Sequence, residues 1–134
     1  MYFCRMLSSQ NFFTVDIHTH IIPENLPKWK EKFGYGEFVQ LEHHKPCCAR
    51  MMMDDAFFRE IESNCWDPEQ RLKECGHHHV DVQVISTIPV MFSYWAEPKD
   101  GLEIAKYLND HIADVCHRYP TRFVGLGDRK STRL

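Results

Sequence analysis

The chain has 134 residues, 43% of them hydrophobic and 26% charged, with a formal net charge of −3. These values fit one soluble globular domain with its own core and leave little room for two. The acidic balance offers no basic surface for nucleic acid or an anionic membrane, and no apolar run approaches the roughly 18 residues that span a bilayer.

Residues 1–9 lack the continuous apolar centre of a secretory signal, although one arginine and no acid over residues 1–13 leave a transit peptide as an alternative. The six cysteines do not read as a disulfide framework. Cys47 and Cys48 are adjacent and pair only with strain, and Cys4, Cys65, Cys75 and Cys116 have no zinc-finger spacing. Reduced thiols in the cytosol, several of them small core hydrophobes, are expected.

Phe12–His18 is rich in aromatic and β-branched residues and predicts a buried strand. Residues two apart on a strand face one side, so His18 and His20 point together beside Asp16, with Ile17 and Thr19 facing the opposite layer. Two imidazoles ending a strand on one face suit adjacent ligands of a zinc ion. Nine histidines produce about 0.6 His-x-His pairs by chance, so the strand context carries more weight than the spacing.

Residues 28–33 fit one helical turn or a polar loop, and Gly34-Tyr35-Gly36 marks a bend. Residues 37–42 alternate like an exposed strand, and 51–59 read as a second pair of strands around the acidic turn Asp54-Asp55. Together, residues 36–62 predict a small β insertion. Asp67 as N-cap, Pro68 at the first position and Gln70 in a capping-box-like pattern open a helix that Gly76 is expected to stop. His77-His78-His79 then reads as a solvated loop.

Val80–Pro89 contains the clearest strand. Asp100, with Glu103 three residues on, opens a longer helix whose apolar face is Leu102, Ala105, Leu108, Ile112, Val115 and Cys116, ended by Pro120. Residues 122–127 form a third strand. Strand and helix alternate as in an α/β fold with a parallel sheet, and the paired histidines fall at the C-terminal end of the first strand, where such sheets place active sites. The polar, basic residues 128–134 break with what precedes them. They fit a disordered tail or, as the favoured reading, an unrelated segment appended to a cut reading frame.

Val15–Pro23, Phe33–Gly36, Val39–His44, Asn64–Glu69, Val84–Trp95 and Tyr119–Gly127 carry a resemblance that covers residues 14–127 almost throughout. Over these segments the chain resembles the non-oxidative decarboxylase branch of the metal-dependent amidohydrolase superfamily. The turn Asp54-Asp55-Ala56 stands where that branch tends toward glycine flanked by lysines. The resemblance implies an incomplete N-terminal portion of a (β/α)8 TIM barrel carrying the 36–62 insertion, with residues 1–13 as an extension. It implies a Zn2+ enzyme of tryptophan (kynurenine) catabolism, homodimeric at full length. Such an enzyme removes carbon dioxide from an unstable muconate semialdehyde, a small-molecule carboxylate, and so limits quinolinate and NAD synthesis.

By the same resemblance His18 and His20 correspond to the first two zinc ligands, and Arg59 to the arginine that holds a substrate carboxylate. Without it, Arg59 reads as a surface cation facing Glu60 or Glu62. The remaining ligands, a histidine and an aspartate, and a histidine that assists proton transfer are implied to come from strands beyond Gly127. The chain alone is therefore expected to lack catalytic residues and to be inactive. The alternatives are an inactive short form that binds the full-length enzyme, another hydrolase or decarboxylase of the superfamily, or a metal buffer built on His77-His78-His79.

Overall fold

The computed structural model describes residues 12–127; the expectations for residues 1–11 and for the 128–134 tail lie outside the described residues. Three strands form a parallel sheet in the order β1-β5-β6: β1 (Val15–His20), β5 (Val82–Ser86) and β6 (Phe123–Leu126). A second, antiparallel sheet in the order β2-β3-β4 comprises β2 (Val39–Lys45), β3 (Cys48–Met53) and β4 (Ala56–Glu62). Three α-helices, α1 (Trp29–Phe33), α2 (Pro68–His77) and α3 (Pro98–Arg118), complete the fold.

The expected buried strand at Phe12–His18 is corrected in two ways. It begins at Val15, and Phe12, Phe13 and Ile17 are exposed. The reason is topological: β1 pairs only with β5, and no described residue covers the face that Ile17 occupies. The β1–β5 register slips between Asp16 and Thr19, with one extra residue on β1, which breaks the simple alternation assumed for the strand.

Residues 37–42 are not an exposed strand at their start. Phe38 and Val39 are buried, because Phe38 sits among Phe33, Tyr35 and Trp95, with ring centroids 5.5, 5.3 and 4.7 Å away. The acidic turn forms as expected: Met53 pairs with Ala56 across Asp54-Asp55. Asp54 adopts φ 52° there, accepts a hydrogen bond from the Glu37 amide at 2.9 Å and lies 3.3 Å from Lys30. A short side chain with a local hydrogen bond tolerates this left-handed backbone.

Helix α2 opens as the sequence indicates, with the Asp67 carboxylate accepting from the Glu69 amide and Pro68 at the first position. Gln70 donates to Glu74 instead of reaching back to the cap. Gly76 does not stop the helix, which runs on to His77. His79 takes the left-handed position at φ 55°, and the Val80 amide donates back to the Cys75 carbonyl, the closing bond of a Schellman end.

Helix α3 opens two residues earlier than expected, at Pro98. The hydroxyl of Tyr35 accepts from the Glu97 amide and donates to Asp100, which therefore lies inside the first turn and is not the cap. Glu103 pairs with Lys32. The buried face comprises Ile104, Ala105, Leu108, Ile112 and Val115, with Leu102 and Cys116 at its margins and Ile104 added to the expected set. Ile104 and Leu108 join Trp29, Phe38, Met51 and Trp66 in one core; Ile112 and Val115 join Ile21, Ile85 and Phe123 in another.

Strand β6 lies close against α3 at Gly125, where an added Cβ would stand 2.6 Å from Ile112 Cγ2 and 3.1 Å from Cys116 Sγ. Gly125→Ala is therefore expected to destabilise the chain by about 1–3 kcal/mol through overpacking, read as a lower urea midpoint. Ile112→Ala, which removes that Cγ2, should cost less in the Gly125→Ala chain than in the native one.

Candidate metal centre at the end of β1

His18 and His20 do come together. Their rings stand 5.2 Å apart between centroids, edge to face, at the C-terminal end of β1. Asp16 accepts from the His18 amide at 3.3 Å and, through its other oxygen, from Gln83 Nε2 at 3.2 Å. The three residues line one wall of an open hollow of about 460 Å³, which Asn64, Cys65 and Arg71 also face.

The orientation of His20 follows from its neighbours. Ser86, next in register on β5, donates its hydroxyl to the Thr19 carbonyl at 3.3 Å, so its oxygen accepts from His20 Nδ1–H at 3.0 Å. That assignment leaves the Nε2 lone pair free to ligate, the other ring nitrogen being held by a hydrogen bond as it is in metal-bound histidines.

Three residues at the site lie outside the sequence-based expectation: Arg71, Ser86 and His78. Arg71 is buried on α2, and every N–H of its guanidinium has an acceptor. Nε and Nη2 donate to the Asn64 carbonyl at 3.1 and 2.8 Å, Nη2 also to the His20 carbonyl at 2.5 Å, and Nη1 to Thr19 Oγ1 and Gln83 Oε1 at 3.2 and 3.4 Å. Burial lowers its pKa from the usual value without removing its charge near neutral pH. The sequence signal was present in the spacing, since Pro68, Arg71 and Cys75 share the buried face of α2. An arginine among them is a buried charge that must find partners.

Burial pushes the Cys65 thiol up, opposed by the positive charges of Arg71 and Arg59. Glu74, on the rim, is held below the usual carboxylate range by the hydrogen bond from Asn64 and a second from Gln70. His77, His78 and His79 are all exposed, as the solvated reading expects, but His77 belongs to the last turn of α2 and not to a loop, and His78 lines the same hollow. Among the described residues no group of three or more His, Cys, Asp or Glu side chains is placed to hold a metal.

Arg59 lies outside this hollow, exposed on β4, with its guanidinium 5.4 Å from the Phe58 ring centroid. Neither Glu60 nor Glu62 pairs with it among the described residues; Glu60 lies 3.6 Å from His44 instead.

No protein-family model matches the chain. Among solved structures it is similar to Metarhizium anisopliae IDCase in its apo form, with TM-score 0.64 and 20% identity over 86% of this chain and 34% of that one. A putative amidohydrolase from Staphylococcus aureus aligns with TM-score 0.52 and 14% identity over 87% of this chain and 28% of that one. The α/β arrangement is that of an incomplete TIM barrel, the fold class of these amidohydrolase and decarboxylase structures.

Two curated relatives are more specific. The chain is 59% identical over 113 residues to a 2-amino-3-carboxymuconate-6-semialdehyde decarboxylase of Dictyostelium discoideum, covering 84% of this chain and 32% of the relative. It is 40% identical over 124 residues to the Caenorhabditis elegans protein of the same name, covering 92% of this chain and 31% of the relative. The chain resembles an N-terminal part of 2-amino-3-carboxymuconate-6-semialdehyde decarboxylases and spans about a third of the length of these relatives.

Two outcomes are expected at this site. Arg71→Ala leaves the Asn64 and His20 carbonyls without donors and should cost about 3 kcal/mol in denaturant unfolding, with no recovery in Arg71→Lys, which lacks the planar fork. Ser86→Ala should free His20 to exchange tautomers, moving its imidazole ¹⁵N resonances toward the averaged pattern, while Ser86→Thr keeps the Nδ1–H form.

Proposed function

We propose that this chain supplies the first part of the active site of a zinc-dependent decarboxylase. The reaction converts 2-amino-3-carboxymuconate 6-semialdehyde to 2-aminomuconate 6-semialdehyde and carbon dioxide. The observation that carries the reading is the His18–His20 pair at the end of a parallel strand, in a chain 59% identical to a decarboxylase of that name.

The donor set fits zinc. Both candidate ligands are imidazoles, and His20 has its Nδ1 engaged and its Nε2 free. His18 and His20 would hold two positions, and later strands of the full-length protein provide the others. When bound, zinc supplies Lewis acidity and a water that ionises near neutral pH.

The chain's own residues then have distinct tasks. Arg59 presents a guanidinium with no carboxylate partner among the described residues, suited to bidentate capture of a substrate carboxylate. Ser86 sets the His20 tautomer, and Arg71 fixes the backbone that carries His20. In the cell the reaction would draw the semialdehyde of tryptophan catabolism away from quinolinate and NAD synthesis, in the cytosol, with the full-length protein a homodimer. Two ligands hold catalytic zinc weakly, so the 134-residue chain is inactive alone.

The test compares two proteins in a zinc-supplemented assay of substrate absorbance. The 134-residue chain should leave the substrate at its spontaneous rate of decay. The same chain continued behind Gly127 by the remainder of the D. discoideum relative should turn it over. In that longer protein His18→Ala should abolish activity, and Arg59→Ala should raise KM without rescue by Arg59→Lys. Turnover by the short chain, or a longer protein that binds zinc stoichiometrically yet leaves the substrate untouched, would overturn the reading.

A further inference from the structure

Far from the paired histidines in sequence, two thiols face each other across a tight turn. Lys45 pairs with Cys48 at the end of the β2–β3 hairpin, which leaves Pro46 and Cys47 as its two turn residues. Consecutive residues within a strand point to opposite faces. Cys47 escapes that rule because it lies in the turn, and its Sγ stands 2.9 Å from Cys48 Sγ. Both ends of the pair are pinned: the Cys47 carbonyl accepts from the Ser63 amide at 2.8 Å, and Cys48 is in register with Glu62 of β4. Cys47 is exposed and Cys48 half-buried, so a reagent reaches both.

The separation selects among the groups that bind sulfur. A tetrahedral zinc with Zn–S bonds of about 2.3 Å holds its sulfurs about 3.8 Å apart and asks for four ligands. Among the described residues no third His, Cys, Asp or Glu joins the pair in a metal-holding group. Trivalent arsenic binds sulfur at close to right angles, so it bridges a shorter gap, and an organoarsenical that already carries one carbon substituent needs only two sulfurs. A hollow of about 600 Å³ opens beside Cys47, of mixed lining that includes Pro46, Trp66 and Tyr107 but also Asp67, His111 and Arg118, and it leaves room for the substituent on arsenic.

We propose that Cys47 and Cys48 form a bidentate thiol site for trivalent organoarsenicals, separate from the histidine site at the end of β1. The reaction is a condensation. An organoarsenic oxide, R–As=O, exchanges its oxygen for two As–S bonds; the two S–H protons leave with that oxygen as one water. Arsenic stays trivalent and neither sulfur is oxidised. Inserting the arsenic also widens the ring by one atom relative to a direct disulfide between neighbours, which is the strained alternative. The Cys48 thiol, pushed up to about 11 chiefly by its hydrogen bond to Cys47, stays protonated near neutral pH and brings its proton to the departing oxygen.

The test uses the full chain and phenylarsine oxide, read by intact mass and peptide mapping. One phenylarsenic group should add per chain with loss of one water, on the peptide that holds Cys47 and Cys48. It should resist a monothiol such as glutathione and be released by a small dithiol. Cys47→Ser and Cys48→Ser should each weaken binding by about 10²-fold or more, the usual worth of a second tethered contact. Cys4→Ser, Cys65→Ser, Cys75→Ser and Cys116→Ser should leave it unchanged. Phenylarsine oxide should also bind more tightly than inorganic arsenite. No adduct on the native chain, an adduct mapped elsewhere, ready release by glutathione, or retention in the Cys47→Ser/Cys48→Ser double variant would each overturn the proposal. Mapping and release use the native chain, so the outcome stands even if a variant fails to fold.

Discussion

A guanidinium taken out of water has five N–H donors to place and no freedom to leave one unpaired. Arg71 meets that demand with acceptors from three parts of the chain: the Asn64 carbonyl before α2, Thr19 and His20 at the end of β1, and Gln83 on β5. The first strand, its neighbour and the helix between them are thereby locked in one arrangement. The paired imidazoles sit on that lock, because the carbonyl Arg71 holds belongs to His20 itself. Its partners are neutral oxygens, so the positive charge is not cancelled locally, and its field contributes to the hollow that Asp16 and Glu74 also face.

The segment Asn64-Cys65-Trp66-Asp67-Pro68 gains a physical explanation from the same geometry. The Ser63 carbonyl accepts from the amides of both Trp66 and Asp67, forming a tight turn that aims the Asn64 carbonyl at Arg71. Trp66 is buried in the core and stands edge to face against His43 at 5.0 Å. Asp67 caps α2, and Pro68 begins it without an amide to satisfy. The Cys65 carbonyl accepts from the Ile22 amide at 3.0 Å, so each residue of the segment has a separate task.

How much of this was legible beforehand depended on the range of the interactions. The order of strands and helices, the acidic turn at Asp54-Asp55 and the Asp67–Pro68 helix start follow from local chemistry, and the structure has them. The pairing of His18 with His20 is equally local. The departures share a different cause. Gly76 reads as a stop only if its neighbours are ignored; His79 and the Val80-to-Cys75 bond close the helix instead. Asp100 reads as a cap until Tyr35, distant in sequence, is seen to stand in that role. Phe38 reads as exposed until Trp95 arrives from another loop. Ser86 is illegible because its partners lie on a strand whose register no local pattern specifies, while Arg71 shows in the α2 spacing as a buried charge without showing which acceptors it meets.

Helix α3 carries a single apolar stripe, but its two halves face different sheets. Ile104 and Leu108 anchor the core beneath the antiparallel strands, while Ile112 and Val115 anchor the one beneath the parallel strands. A helix shared in this way makes the two cores thermodynamic neighbours. Loosening either one withdraws half of the helix's anchorage and so lowers the cost of opening the other. The sheet that bears the vicinal thiols and the sheet that bears the paired imidazoles thus share an unfolding fate, although no strand passes from one to the other.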